Sequence, residues 1–306
     1  MPPILSVIIC THNPRRDYFE RVLQALIAQT LPVELWELLL IDNASERLLS
    51  EEIDLSWHPQ SRQIREEQLG LTPARLRGIK EAVAETLVFV DDDNVLDTDY
   101  LEVALQISKD WPIIGAWGGQ IIPVFESPPP DWTQPYWGLL ATREVNQDRW
   151  SNLTHNSETH PNGAGLCVRK AVAEKYVELV RNQPERGGLD RKGKLLLSCG
   201  DTDLAFTACD IGLGTGLFVS LRVTHLIQPS RLQEEYLLRL AEGSSYSLTK
   251  LTSFRGFVQP LTKHSWRGKI YEVYKLWRMD SRSRRFYQAF KRGENLALQE
   301  IYRCSG

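Results

Sequence analysis

Three stretches of the chain are almost wholly apolar, too short for helices, and end abruptly in polar clusters. Residues 4–10 (ILSVIIC) run into Thr11, His12 and Asn13. Residues 36–41 (WELLLI) run into Asp42, Asn43, Ala44 and Ser45, and residues 87–90 (LVFV) into Asp91, Asp92 and Asp93. Such runs predict strands buried on both faces. Between them the period changes. Phe19, Val22, Leu23, Leu26 and Ile27 are spaced as on a helix, and residues 72–84 predict a second helix with Thr72 as N-cap and Pro73 at the first helical position. Residues 62–68 are short and polar and predict an edge strand. Strands alternating with helices predict an α/β fold with a mostly parallel sheet covered on both faces. Ligands of such sheets bind beyond the carboxyl ends of the strands. The clusters at 11–13, 42–45 and 91–94 are therefore expected to converge.

The second half is less regular. Residues 111–138 hold Trp111, Trp117, Trp132 and Trp137 around Pro128, Pro129 and Pro130. Two readings fit: an aromatic wall for a sugar pocket, or a packed surface loop. Residues 182–194 (NQPERGGLDRKGK) are rich in glycine and charge and predict a mobile loop. Residues 204–211 predict a helix closed by Gly212, and residues 218–227 a strand carrying His225. Beyond Pro229 the pattern is mainly helical.

At 306 residues the chain suits one large α/β domain with an appendage, and 42% hydrophobic with 25% charged residues is the balance of a soluble globular protein. No apolar run reaches the roughly 18 residues that span a bilayer, and MPPILSVIICTHN reads into a strand, not a signal peptide. Five scattered cysteines without a CxxC pair argue against a disulfide framework or a zinc site and for a reducing cytoplasm. The net charge of −3 hides an asymmetry: from His225 onward there are 15 basic and 7 acidic residues, against 21 and 32 in the remainder. That basic tail is either a solvated helical surface or a face for phosphate, nucleic acid or an anionic membrane.

The triplet Asp91-Asp92-Asp93 changes the picture most. Like charges about 4 Å apart repel by about 4 kcal/mol at an effective dielectric of about 20. At the end of a buried strand, three of them call for a cation or a raised pKa. A solvated Asx turn is the alternative; a site for a hard divalent cation is the stronger reading.

Five motifs then occur in order: SVIICTHN, LLLIDNAS, LVFVDDDNVL, PNGAGLCVRK and CGDTDLAF. Together they resemble the inverting family 2 glycosyltransferases of the GT-A fold, over about residues 4 to 245. The resemblance implies a nucleotide-diphosphate sugar donor, UDP favoured, an acceptor hydroxyl on a glycan or lipid-linked molecule, Mn²⁺ or Mg²⁺, and single displacement with inversion. It implies a nucleotide-sugar-binding and catalytic domain over residues 1–228 and a helical, basic extension over 229–306. Sugar transfer needs a stabilised diphosphate leaving group and a carboxylate to take the acceptor proton, and the sequence supplies both kinds of site.

By that resemblance, Asp91 and Asp93 form a D-x-D pair. Asp93 is expected as a direct metal ligand, Asp91 at the metal or ribose, and Asp92 beside them supporting the turn on the donor side. Thr11 and Asn13 would frame the base and ribose, and Asp42 would read uracil. Arg75 matches an Ala-Arg-Asn-x-Gly pattern in which Leu76 replaces Asn, and is expected to face the donor nucleotide or else to be a surface arginine. Gly165, after Gly163 and Ala164, would border the donor sugar. Asp201 is expected as the catalytic base, although Gly200 stands where the family usually has Glu; a helix cap is the bland role for Asp201 and Asp203. His225 is expected as a further metal ligand, or else as a structural histidine, with Arg231 closing over the phosphates.

The tail interleaves Trp266, Tyr271, Tyr274, Trp277, Phe286, Tyr287 and Phe290 with Lys and Arg. Peripheral membrane contact and packing against the catalytic domain or a second subunit both fit. The setting expected is polysaccharide or glycan biosynthesis by a cytoplasmic protein with possible attachment at the membrane surface, and no nucleic-acid partner. Two rival functions remain open: a nucleotidyltransferase, though Thr11-His12-Asn13-Pro14 lacks the usual glycines, and a non-catalytic nucleotide-sugar-binding subunit.

Overall fold

The structure, a computed structural model, describes residues 2–153, 158–191, 196–257 and 266–304. In chain order its strands and helices are β1 (Leu5–Thr11), α1 (Arg16–Ile27), β2 (Trp36–Asn43), α2 (Leu49–Glu52), β3 (Ser61–Glu66), α3 (Leu71–Glu81), β4 (Thr86–Val90), β5 (Asn94–Leu96), α4 (Tyr100–Asp110), β6 (Ile114–Phe125), β7 (Arg149–Ser151), β8 (Cys167–Arg169), α5 (Lys170–Asn182), α6 (Gly200–Asp210), β9 (Gly214–Ile227), α7 (Glu234–Phe254), α8 (Trp266–Arg278) and α9 (Ser281–Cys304).

Among the described residues the strands form one nine-stranded sheet in the order β3-β2-β1-β4-β8-β6-β9-β5, with β7 on β9. β1 pairs in parallel with both β2 and β4, and β3 lies at the edge, as its polar sequence predicts. The other half mixes directions: β8 is antiparallel to β4 and β6, whereas β6 and β9 run parallel.

Every residue of β1, β2 and β4 is buried. Side chains alternate between two cores. Leu5, Val7 and Ile9 meet α1 and α4 on one face; Ile8 and Cys10 meet α3, α5 and α6 on the other. The close seat of α3 depends on Gly78, where a Cβ would lie 2.4 Å from Ile8 Cγ2.

Three expectations are corrected. The second helix starts at Leu71, with Gly70 at the cap position (φ 141°), and Thr72 Oγ1 donates to Asp190 instead of capping. Residues 111–138, read as an aromatic wall or a packed surface loop, hold the twelve-residue β6. Its register with β9 shifts at Gly118–Gln120, and a Cβ on Gly119 would meet the Leu221 carbonyl at 2.0 Å. The four tryptophans there are packed. Trp117 is fully buried, Trp111 meets Phe218 at 5.7 Å, Trp137 meets Phe125 at 4.7 Å, and Trp132 lies under the Arg282 guanidinium at 4.3 Å. Finally, part of the expected mobile loop forms a 3₁₀ turn over Pro184–Gly188, held by buried Arg186 on Asp203 at 2.7 Å; residues 192–194 of that stretch lie outside the described residues.

The extension packs onto the rest of the chain. Leu237, Leu240 and Ala241 of α7 and Phe286 and Ala289 of α9 share a core with Leu140 and Ile227. Tyr136 stacks on Phe286 with ring centroids 3.6 Å apart. No helix among the described residues is long and apolar enough to cross a membrane.

Candidate active site

The parallel strands place their carboxyl ends side by side, and the three polar clusters meet there. Thr11 Oγ1 donates to Asp92 Oδ2. The Asn13 N–H donates to Ser45 Oγ at 3.0 Å, and the Glu46 N–H donates to Asn13 Oδ1 at 2.9 Å. A cleft of about 1160 Å³ opens above these loops. Thr11, Asn13, Arg75, Asp91, Asp92, Asp93, Asp201, His225 and Arg231 all line it.

Asp42 and Gly165 do not line it. The Asp42 carboxylate accepts from the N–H groups of Ser45 (2.9 Å) and Leu49 (3.3 Å) and from Arg65 Nη1 (2.9 Å). Burial opposes its charge, but these donors prevail and lower its pKa. Its neighbour Asn43 is the β2 residue that reaches the cleft. Gly165 adopts φ 70° and its carbonyl accepts from Tyr100 Oη at 2.6 Å; a Cβ there would strike that phenol. Leu76, which replaces the family's Asn, packs against the core below α3.

The acidic triplet sits on a turn fixed at both ends. The Asn94 N–H donates to the Asp91 carbonyl at 3.1 Å, and β5 then pairs antiparallel with β9, setting Asn94 opposite His225. Asp93 Oδ2 lies 3.4 Å from His225 Nε2 and 2.8 Å from Arg231 Nη2, while Arg231 Nη1 is 3.1 Å from His225 Nε2. A guanidinium only donates, so Arg231 bonds to His225 Nε2 when that nitrogen is unprotonated, and Nε2 faces Asp93 as a donor when it is protonated. His225 Nδ1 is buried and has no hydrogen-bond partner among the described residues. Arg231 is delivered by a 3₁₀ turn over Pro229–Leu232.

The three carboxyls are held differently. Burial pushes Asp92 up to about 7, helped by the charge of Asp93 and opposed by the Thr11 hydrogen bond. Burial also raises Asp91, against the pull of Arg75. Asp93 is driven the other way: burial would raise it, but His225, Arg231 and Arg191 outweigh that and hold it well below the usual carboxylate range.

Asp93 and His225 are the side chains that a divalent cation would use here, on the chemistry of their donors. Among the described residues no three His, Cys, Asp or Glu side chains converge. Asp93 Oδ2 and His225 Nε2 do converge, at 3.4 Å, and a cationic guanidinium already bridges them. Mg²⁺ characteristically takes one or two protein ligands and completes its shell with substrate phosphates and water, and an imidazole donor suits Mn²⁺.

A second carboxylate site lies on the first turn of α6. Asp201 Oδ2 accepts from the Gly163 N–H at 2.6 Å, and Oδ1 from the Thr202 N–H at 2.7 Å. A Cβ on Gly163 would lie 2.8 Å from Arg75 Nη2 and 3.0 Å from Asp201 Oδ2, so these three groups crowd together. Asp203, two residues on, is fully buried and bound by Arg186 and Arg255, each at 2.7 Å. Sequence reasoning missed Asp190 and Arg143. Asp190 is buried and accepts from Arg75, Thr72 and the Gly200 N–H; Arg143 lines the cleft. Nothing local in Gly188-Leu189-Asp190-Arg191 marks that role.

The sequence profile of glycosyl transferase family 2 matches residues 6–163, just over half of the chain. The chain belongs to glycosyl transferase family 2. The matched span includes β1, β2, the acidic triplet and Gly163, and stops short of α6. Two Haloferax volcanii proteins are similar to this family 2 chain. One, named Glycosyltransferase AglE, is 24% identical over 213 residues, covering 69% of this chain and 62% of its own. The other, named a glucosyl-dolichyl phosphate glucuronosyltransferase, is 23% identical over 143 residues, covering 44% of each chain. The chain thus spans less than two thirds of either relative. Among solved structures, that of S. aureus TarS superposes with a TM-score of 0.53 at 15% identity, covering 94% of this chain and 49% of that one. At that identity the likeness concerns the fold alone: a curled, mostly parallel sheet of GT-A type with helices on both faces.

Proposed function

We propose that the protein is a metal-dependent, inverting glycosyltransferase that moves a sugar from a nucleoside-diphosphate donor to an acceptor hydroxyl. The observation that carries this is one cleft holding both required groups: the Asp93–His225–Arg231 set, and Asp201 anchored separately by two backbone N–H groups. Asp93 and His225 would hold Mn²⁺ or Mg²⁺, which when bound supplies Lewis-acid stabilisation of the departing diphosphate. Arg231 adds positive charge at the same end. Asp201 takes the acceptor proton as the acceptor oxygen bonds to the anomeric carbon and the bond from that carbon to the phosphate oxygen breaks. Thr11 and Asn13 frame the nucleoside.

UDP is the donor nucleotide to test first, on the family resemblance. Asp42 does not line the cleft, and the Asn43 side chain there is held by the Glu66 and Gln68 carbonyls and the Gly70 N–H, so the nucleotide preference rests on the resemblance alone. The acceptor is a glycan or a lipid-linked saccharide, in polysaccharide or glycan assembly; the name of the second Haloferax relative supports the lipid-linked class. α8 fits that setting. Its Glu272 and Leu276 side is partly buried, with Arg284 Nε on the Leu276 carbonyl and Tyr287 Oη on Glu272. Ile270, Tyr271, Val273, Tyr274 and Trp277 are each more than half exposed beside Lys275 and Arg278. Aromatic and basic side chains on one helix suit an anionic membrane surface.

Incubation with nucleotide sugars and Mn²⁺ tests the reading. Release of a nucleoside diphosphate, abolished by EDTA and by Asp201→Asn, is expected. Release of inorganic pyrophosphate would mark a nucleotidyltransferase instead, and nucleotide binding without turnover across acceptors a binding subunit.

A further inference from the structure

Gly200 begins α6, yet its backbone does not require glycine: it is absent from the positive-φ residues, which include Gly70, Gly165, Gly212 and Gly256. Space requires it. A Cβ built on Gly200 would lie 2.1 Å from Asp190 Oδ2, 2.3 Å from Asp190 Cγ and 2.6 Å from Asp190 Oδ1. The carboxylate of Asp190 therefore occupies the volume in which a side chain at position 200 would begin. From there it accepts from the Gly200 N–H at 3.1 Å, from Thr72 Oγ1 at 2.9 Å and from Arg75 Nη1 at 3.0 Å. Asp190 and Arg75 are both about nineteen-twentieths buried. Removing one partner of a buried pair leaves an uncompensated charge. The other Arg75 nitrogen, Nη2, points to the space beside Gly163 and Asp201 Oδ2.

We propose that Asp190 substitutes for the side chain that position 200 lacks: reaching in from the preceding loop, it is the positioning residue that ties Arg75 of α3 to the first turn of α6 and so sets Asp201 in the cleft. The two positions are one unit, with room for a single carboxylate. A carboxylate at both collides, a carboxylate at neither leaves Arg75 unpaired, and moving it from 190 to 200 restores the charge to the same place. This rests on Asp201 being the base of the proposed transfer.

The test is a double-mutant cycle on the full chain: wild type, Asp190→Gly, Gly200→Asp and the double variant, each measured for turnover, Mn²⁺-dependent binding of nucleoside diphosphate, and thermal unfolding. Asp190→Gly and Gly200→Asp are each expected to lower turnover by about 100-fold, the scale of a misplacement near 1 Å. Nucleotide binding at the Asp93 end stays intact, a split that general loss of structure would not give. The double variant recovers turnover by about 10-fold or more over either single, against the multiplied losses that independent sites would show. A double variant no faster than the slower single, while folded and binding nucleotide, would overturn the proposal. If the wild type turns over no nucleotide sugar, the glycosyl-transfer reading fails, and the unfolding cycle decides the pairing by itself. The double variant melting above both singles upholds it, and additive losses in melting temperature refute it.

Discussion

The cleft contains two carboxylate sites built on opposite plans. At one end three consecutive residues, Asp91, Asp92 and Asp93, crowd onto one turn, with Arg231 and His225 serving Asp93 and a threonine hydroxyl serving Asp92. At the other end, carboxylates scattered along the chain each have their own fixed donors: Asp201 has two backbone N–H groups, Asp190 has Arg75, and Asp203 has Arg186 and Arg255. The first arrangement packs three carboxyls onto one turn and is the end at which the proposed cation would bind. The second is compensated from within and is suited to hold one carboxylate still.

This contrast can be broken from either side. The largest effect expected is on turnover: Asp201→Asn removes the proton acceptor and lowers kcat by about 10²- to 10⁴-fold, while nucleotide binding persists in titration calorimetry. Next is stability at the compensated end. Arg186→Met leaves fully buried Asp203 with Arg255 alone and costs about 3 kcal/mol in urea unfolding, the scale of a broken buried pair.

At the crowded end, pH is the lever. Asp92, raised to about 7, keeps its proton in the folded protein after the unfolded chain, near 3.8, has lost it. The stability linked to that proton is full below the lower value and is lost as pH rises toward the upper one. Metal-free protein should therefore lose melting temperature between about pH 4 and 7, and Asp92→Asn should flatten that loss and melt higher than wild type above it. Asp93 has the opposite sign: its depressed pKa gives stability at neutral pH that fades as pH falls. The smallest effect expected is that of Thr11→Val, about 1 kcal/mol for one hydrogen bond. It should move the Asp92 midpoint upward, because the Thr11 hydroxyl favours the ionised carboxyl.

The same contrast explains what could be read from sequence. The acidic turn itself is local: β4, the three aspartates and β5 follow one another within residues 86–96, and the runs ending at Thr11, Asn43 and Val90 announce it, although its partners Thr11, His225 and Arg231 come from far along the chain. Asp190 bonds to Arg75 across 115 residues and to Thr72 across 118, so no window of sequence contains the interaction. That distant partner also explains the misplaced helix start, since Thr72 spends its hydroxyl on Asp190. β6 was hidden for a related reason. Its Gly118-Gly119 pair and register shifts break the alternation of a strand, and they make sense only against the Leu221 backbone of β9. The four tryptophans of residues 111–138 fitted either a sugar-stacking wall or a packed loop, and they are packed.

The measurement that bears most directly on the account is calorimetric titration of UDP into wild type, Asp93→Ala and Asp201→Asn, each with and without Mn²⁺. Binding that requires Mn²⁺, vanishes in Asp93→Ala and survives in Asp201→Asn is the predicted result. UDP binding that is indifferent to Mn²⁺ and to Asp93, or lost only in Asp201→Asn, would contradict the division of the cleft into a cation-receiving end and a base-holding end.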